Sequence, residues 1–345
     1  MKRRDLLKLV QSGFVASAAS AAFPSLAFAG GAKQDKRPIA LLVPLAGPRA
    51  RLGESMRQAA LLAENSAFVQ CYDTGGTANG AAAAAALALK KGPALILGPL
   101  LSEEVPAVAS TVAGRVPVIS FSNDSVLKAP GTWIFGITAG QMASAVLRYA
   151  QSRGVRSVIV LDDGSPWSAA TALAAGRLES EIGLRVKTLA VGAPLPAEDA
   201  APDALLLPDS STAVLAAAST LKAEGTQLLG TLQALDNRPD ALAVLDGAWL
   251  ASPDPNAFGT FASEYAARNG GAPGAIAALA YDAAGIVNKL RADNQLSGEG
   301  LLASAGFHCV TGPVRFRTDG SVARDFAIVA ARQTGYETVA VSSGS

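Results

Sequence analysis

Short apolar runs alternate with longer helical patterns along most of the chain. Apolar segments of the kind buried in a parallel sheet predict strands at Ile39 to Leu45, Phe68 to Tyr72, Leu95 to Leu97, Val116 to Ile119 and Trp133 to Thr138. Amphipathic or alanine-dense segments between them predict helices, the first from Leu52 to Asn65 and the second from Asn79 to Lys90. This alternation indicates an α/β fold with parallel strands and right-handed crossovers.

The alternation begins again in the second half of the chain. Further strands are predicted at Ser157 to Leu161, Arg185 to Val191, Ala204 to Leu207, Gln227 to Thr231 and Ala248 to Ala251. The last part changes character, because Val314 to Phe316 and Phe326 to Ala331 flank a turn and predict a hairpin-like pair. Two similar lobes fit this pattern better than one oversized sheet.

The stretch from Ala94 to Asp124 combines two strands with polar turns. Ser102 is expected to cap the helix that follows the first strand, and Glu103 and Glu104 are expected to point outward. The next strand ends in the polar turn Ser120 to Asp124. Because open parallel sheets bind ligands at the carboxyl ends of their strands, this edge is predicted to form a binding site.

Composition narrows the choice of partners. The 345 residues carry a formal net charge of +1, and 50% of them are hydrophobic. The only basic cluster lies at the N-terminus, which argues against nucleic acid or an anionic membrane surface as the main partner. A small neutral or zwitterionic ligand fits better.

The N-terminus has the pattern of an export signal. A charged segment is followed by apolar and small residues and by the cleavage motif Ala27-Phe28-Ala29, which predicts a signal peptide over residues 1–29 and a linker over 30–37. The pair Arg3-Arg4 resembles a twin-arginine signal, and an ordinary Sec signal is the alternative. No later apolar run is long enough for a membrane span, so we expect a soluble, exported protein that does not cross the membrane.

Several short motifs match catalytic patterns only in part. Asp73-Thr74-Gly75 matches the aspartic protease motif but has no second copy, which that chemistry requires. The segment Gly75 to Gly80 has the wrong glycine spacing for a dinucleotide-binding loop. His308 and Cys309 are only two ligands, too few for a zinc site. We therefore expect no enzyme activity, no cofactor and no metal. Cys71 and Cys309 either form one disulfide or remain free, with Cys71 buried as a small hydrophobe.

Motifs in a fixed order resemble a known family. They are Pro44 to Pro48 with Leu52-Gly53, Asp73 and Gly76, Gly98-Pro99 with Ser102, Pro117 to Ser120, Ala280 to Ala283, and Gly312-Pro313 with Phe316, Asp319 and Gly320. Together they resemble the type I periplasmic solute-binding proteins of the branched-chain amino acid binding type. Within that family, the sequences of Asp73 to Thr77 and Phe121 to Asp124 are most similar to the branch described as penicillin-binding protein activators.

The resemblance implies two Rossmann-like lobes with parallel sheets, joined by a three-segment hinge. Lobe 1 would hold residues 38–137 and 247–322, and lobe 2 residues 138–246 and 323–345. A ligand would be captured between the lobes as they close.

The resemblance also implies ligand contacts from both lobes. From lobe 1 these are Ser102, Ser122 and Asp124, with Ser120 either a contact or only the end of its strand. From lobe 2 they are Trp167, which stacks on the ligand or belongs to the core, and the pair Asp209 and Ser210. The family's acidic partner for an ammonium group falls near Gln233 to Leu235, and Asp236 is the nearest acid.

Two functions follow from this resemblance. The first is a periplasmic protein of amino acid transport, which binds a small polar, amino-acid-like solute for an ABC permease. The second is a regulator that binds a peptidoglycan synthase, in the manner of the penicillin-binding protein activators.

Overall fold

The computed structural model describes residues 35–196, 202–303 and 305–344. The predicted signal peptide and residues 30–34 of the predicted linker lie outside this range. Among the helices of the described ranges, none combines the length and apolarity that crossing a bilayer requires.

Five parallel strands form the first sheet, in the order β2-β1-β3-β4-β5. Their bounds are β1 (Ile39–Val43), β2 (Val69–Asp73), β3 (Ile96–Leu97), β4 (Val118–Ser120) and β5 (Thr132–Ile134). Every residue of β1 is buried, as expected for a central strand covered on both faces. The predicted parallel α/β sheet is therefore confirmed.

A larger mixed sheet contains the remaining strands, in the order β11-β12-β10-β9-β8-β6-β7, with β13 on the far side of β12. Their bounds are β6 (Ser157–Asp162), β7 (Arg185–Ala190), β8 (Ala204–Leu207), β9 (Gln227–Gly230), β10 (Trp249–Ser252), β11 (Val314–Phe316), β12 (Val322–Arg332) and β13 (Gly335–Ser343). The strands β6 to β10 run parallel, whereas β11, β12 and β13 pair antiparallel. The predicted hairpin corresponds to β11 and β12, whereas β13 was not predicted.

Helices cover both sheets. Their bounds are α1 (Ala50–Ala63), α2 (Ala78–Leu89), α3 (Val105–Val112), α4 (Ala139–Ser152), α5 (Pro166–Ile182), α6 (Thr212–Leu221), α7 (Pro239–Leu245), α8 (Pro255–Asn269), α9 (Ala275–Ala292) and α10 (Gly298–Leu301). The alanine-dense α2 buries four alanines against apolar residues of β1, β3 and β4, because the small side chain allows close packing on a sheet.

The chain crosses between the two sheets three times. It leaves the first sheet after β5, returns after β10 so that α9 packs on α1, and crosses again before β11. The lobe boundaries stay a prediction, but two strands that they assign to lobe 1 belong to the larger sheet. The range 247–322 contains β10, which pairs with β9, and β11, which pairs with β12. The local sequence of a strand does not show with which distant strands it pairs.

A buried polar network lies where the crossings meet. Arg324 on β12 is fully buried and donates to the carbonyl of Phe135 at 2.7 Å and to the hydroxyl of Thr311. Asp282 on α9 accepts from the backbone N–H groups of Val310 and Thr311 at 2.8 and 3.0 Å. These bonds join α9, the loop before β11, β12 and the end of β5. Both cysteines, Cys71 on β2 and Cys309 in that loop, are free.

Candidate ligand cleft between the two sheets

Hydroxyl groups at the ends of β3 and β4 form the first wall of a cleft. The Oγ atoms of Ser102 and Ser122 lie 2.9 Å apart, and the Ser122 Oγ also accepts the backbone N–H of Asp124 at 3.2 Å. Asp124 accepts the N–H of Val126 at 3.1 Å and so caps the short 3-10 helix Ser125–Leu127. The turn after β4 is therefore held by side-chain to backbone bonds, which is typical of serine and aspartate in tight turns.

Two expectations for this wall were wrong. Ser102 is not an N-cap but the first residue of the 3-10 helix Ser102–Glu104, and its hydroxyl turns to Ser122 instead. Glu104 does not point outward. It is completely buried, where its Oε2 accepts the N–H of Leu101 at 2.9 Å and closes the turn. Glu103 is exposed, as expected.

The second wall comes from the larger sheet. The indole N–H of Trp167 donates to Thr231 Oγ1 at 3.1 Å, and that hydroxyl donates to the carbonyl of Pro208 at 2.7 Å. This chain of bonds holds the indole at the ends of β8 and β9, beside Asp209. The carboxylate of Asp209 accepts the N–H of Ser211 at 2.9 Å.

Four of the seven predicted residues line one cleft of about 610 Å³. These are Ser102 and Asp124 from the first wall and Trp167 and Asp209 from the second. Such a volume is in the range of small-molecule sites in proteins. Its walls come from two separate sheets, so relative movement of the sheets would change its width.

The other three predicted residues lie behind the cleft or beside it. Ser120 is fully buried, donates to the carbonyl of Pro99 at 3.2 Å and accepts the N–H of Ser122. Ser122 is 2% exposed and contacts Ser102 from behind. Ser210 donates to Asp236 Oδ2 at 2.9 Å. None of the three is among the residues that line the cleft.

Asp236, the acid nearest to the position expected for an ammonium partner, forms an ion pair with Arg238. Its carboxylate accepts from Arg238 Nη2 at 2.7 Å and from Arg238 Nε at 2.9 Å. The Arg238 guanidinium lowers the pKa of Asp236 to about 2. At this position in the cleft wall the structure places Gln233 instead.

Thr138 and Ser165, which were not predicted as site residues, also line the cleft. Thr138 caps α4 and accepts the N–H of Gln141 at 3.1 Å, while Gln141 accepts the N–H of Thr138 in return. Ser165 caps α5 in the same way through the N–H of Ser168. Thr138 and Gln141 have the spacing of a capping box, a signal that the sequence alone carried. The N-termini of α4 and α5 thus both open into the cleft.

Asp73, the aspartate of the protease-like motif Asp73-Thr74-Gly75, has a structural role because it holds two loops together. Its Oδ1 accepts the N–H groups of Leu45, Gly75 and Ala46 at 2.7, 2.8 and 3.3 Å and joins the loops after β1 and β2. Burial alone would raise the pKa of this carboxyl group, but these N–H groups outweigh it and the pKa is lowered.

Solved structures share this architecture at low sequence identity. A putative branched-chain amino acid ABC transporter from Rhodospirillum rubrum matches with a TM-score of 0.74 and 19% identity over 88% of this chain and 100% of its own. The C-domain of LpoA from Haemophilus influenzae, described as a regulator of PBP1A, matches with a TM-score of 0.70 and 18% identity over 88% and 100%. A solute-binding protein of an ABC transporter from Rhodopseudomonas palustris BisB5, in complex with 3,4-dihydroxybenzoic acid, matches with a TM-score of 0.61 and 18% identity over 89% and 96%.

Sequence comparisons give the family. A search of curated protein sequences gave no match. The family model described as periplasmic binding protein matches residues 37–336, which is most of the chain. Two sheets with a cleft between them agree with that match. The chain therefore belongs to the periplasmic binding proteins of type I.

Proposed function

We propose that this protein is a periplasmic solute-binding protein that captures a small polar, amino-acid-like ligand and presents it to an ABC permease. The observation that carries the proposal is the cleft of about 610 Å³ whose lining comes from both sheets. We further propose that the protein acts in the periplasm after removal of residues 1–29, by the twin-arginine or the Sec route.

The cleft offers groups suited to both ends of an amino-acid-like molecule. Backbone N–H groups at the N-terminus of α4 attract a carboxylate, and the hydroxyl of Ser102 adds a further donor. Asp124 and Asp209 supply negative charge for an ammonium group. The indole of Trp167 supplies a flat apolar surface. Ser122 contributes indirectly, because its hydrogen bond orients Ser102.

Capture would follow from a shift between open and closed forms. A ligand that touches both walls makes its full set of contacts only when the walls are close, so it stabilises the closed form. Two apolar side chains on opposite walls support this view. Val126 is 85% exposed and Leu173 is 60% exposed, although both line the cleft. Covering them on closure would add a hydrophobic contribution.

The test is a thermal shift screen of the mature protein against amino acids, small peptides and organic acids. We expect at least one of them to raise the melting temperature, because a ligand that binds only the folded protein stabilises it. Ser102→Ala and Asp124→Ala should reduce that shift. As a matched control, Ser180→Ala changes an exposed serine of α5 that does not line the cleft and should leave the shift unchanged.

A second candidate function is regulation of a peptidoglycan synthase. The similarity to the LpoA C-domain supports it, because that domain is matched over its whole length. The two candidates differ in the outcome of the same screen. Absence of stabilisation by every solute, together with binding of a purified peptidoglycan synthase, would reject solute capture in favour of regulation.

A further inference from the structure

The cleft continues along one face of α5. Trp167, Ala170, Leu173, Ala174 and Arg177 line it at spacings of three and four residues, which places them on the same side of the helix. Trp167 and Arg177 are ten residues apart, so they lie about 15 Å apart along the helix axis. A single amino acid contacting Trp167 would leave the Arg177 end empty.

A second cavity opens at that end. It has a volume of about 460 Å³ and shares Ser125, Val126, Thr138 and Arg177 with the larger cleft. Its lining also includes Lys128 and Arg317. These three basic side chains come from three separate segments: the loop before β5, helix α5 and the turn between β11 and β12. No acidic side chain lines this cavity within the described ranges.

The positive charge of this cavity is only partly balanced. Lys128 forms an ion pair with Asp319, and the pKa of Asp319 is lowered well below its usual range, mainly by that lysine. Arg177 and Arg317 have no carboxylate partner in the described part of the chain. Asp124 lies near the junction but lines only the larger cleft, where it caps Val126. A concave site with uncompensated positive charge attracts anions.

The opposite end of the cleft has the opposite charge. Asp209 follows Pro208, whose carbonyl accepts from Thr231, and Thr231 in turn holds the indole of Trp167. A carboxylate therefore lies at the Trp167 end of α5 and two free guanidinium groups lie at the Arg177 end. This charge separation fits a long zwitterion better than a compact one.

We propose that Lys128, Arg177 and Arg317 form an anion subsite, and that the ligand is an elongated zwitterion with its amino group toward Asp209 and its acidic group at this subsite. A short peptide with a free C-terminal carboxylate is the simplest member of this class. Since an extended chain advances about 3.3 to 3.6 Å per residue, roughly four residues span the 15 Å between Trp167 and Arg177. The proposal rests on solute capture by this cleft and specifies its ligand class.

Calorimetric titration with matched peptides tests the subsite. The probes are Phe-Ala, Phe-Ala-Ala and Phe-Ala-Ala-Ala, each as the free acid and as the C-terminal amide. We expect affinity to increase with length and the longest acid to bind about tenfold more tightly than its amide, because a charge-assisted hydrogen bond contributes more than a neutral one. Arg177→Gln and Arg317→Gln should each remove most of that preference while leaving the affinity of the amide unchanged.

The control variant is Arg153→Gln, which removes an exposed arginine at the end of α4 that lines neither cavity. It should keep the full preference for the acid. Equal binding of acids and amides to the unaltered protein would overturn the subsite, and so would equal losses for both probes in the arginine variants. If single amino acids or organic acids bind but no peptide does, the subsite proposal fails while solute capture stands. If no solute binds, solute capture itself fails.

Discussion

At the scale of single residues, one buried ion pair secures the segment that precedes β1. Arg291 and Glu64 are 1% and 2% exposed, and Arg291 Nε lies 3.3 Å from Glu64 Oε2. The same guanidinium donates to the carbonyls of Asp35 and Arg37 at 2.5 and 3.0 Å and lies 4.1 Å from the centre of the Phe68 ring. One arginine thus connects α9, the end of α1 and the entry to the first strand.

Removing one member of this pair should cost much stability. We expect Arg291→Met to lower the free energy of unfolding by about 3 to 5 kcal/mol, because it leaves the Glu64 charge buried without a partner. Urea unfolding measures the change. The double variant Glu64→Gln, Arg291→Met should recover part of the loss, since it removes the second charge as well.

An exposed pair on the same helix provides the comparison. Lys289 and Asp293 are four residues apart, and Lys289 Nζ lies 2.9 Å from Asp293 Oδ2. Their side chains are 59% and 45% exposed. Lys289→Met should change the free energy of unfolding by no more than about 0.5 kcal/mol. Losses of similar size at positions 289 and 291 would show that the buried pair has no special importance.

At the scale of elements, α1 approaches the loop after β1 closely. A Cβ atom on Gly53 would lie 1.8 Å from the carbonyl oxygen of Pro44, which is far inside van der Waals contact. The glycine therefore sets the distance between helix and loop. In α9, a Cβ on Gly285 would have no atom within 4 Å outside its own helix and its neighbours.

The same substitution should have opposite effects in these two helices. Gly53→Ala should destabilise the fold by about 1 to 3 kcal/mol, because α1 or the loop must shift to make room. Gly285→Ala should stabilise it by about 0.5 to 1 kcal/mol through higher helix propensity. Thermal and urea unfolding of the two variants measure both effects, and a loss of stability at Gly285 would contradict this account.

Local sequence patterns were sufficient to predict some of the strands and site residues but not others. The buried strands β1, β3 and β4 were predictable because each lies in a short apolar run. Ser102 and Asp124 could be placed at one edge because the carboxyl ends of parallel strands meet there. The pattern did not predict the sheet to which β10 belongs, since pairing between distant segments leaves no local signal. Nor did it indicate Arg177, whose importance depends on which face of α5 turns to the cleft, or the burial of Glu104.

At the scale of the whole molecule, two sheets share one continuous hydrophobic cluster. It extends from β1 through α4, where Met142, Val146 and Leu147 are fully buried, to β6 and β8. The Arg324 network lies in the same region, at the crossings between the sheets. The cleft opens beyond this packed region, so movement between the sheets is expected to leave the shared core intact while changing the width of the cleft.

The position of Trp167 gives the molecule an internal optical signal. The chain contains three tryptophans, and Trp133 and Trp249 do not line the cleft. Binding and closure would change the surroundings of the Trp167 indole, so we expect ligand to shift its fluorescence. That shift should disappear in Trp167→Phe and persist in Trp249→Phe. An unchanged response in Trp167→Phe would mean that the indole does not sense the ligand. Measured in a stopped-flow instrument, the same signal would give the rate of capture without any attached dye.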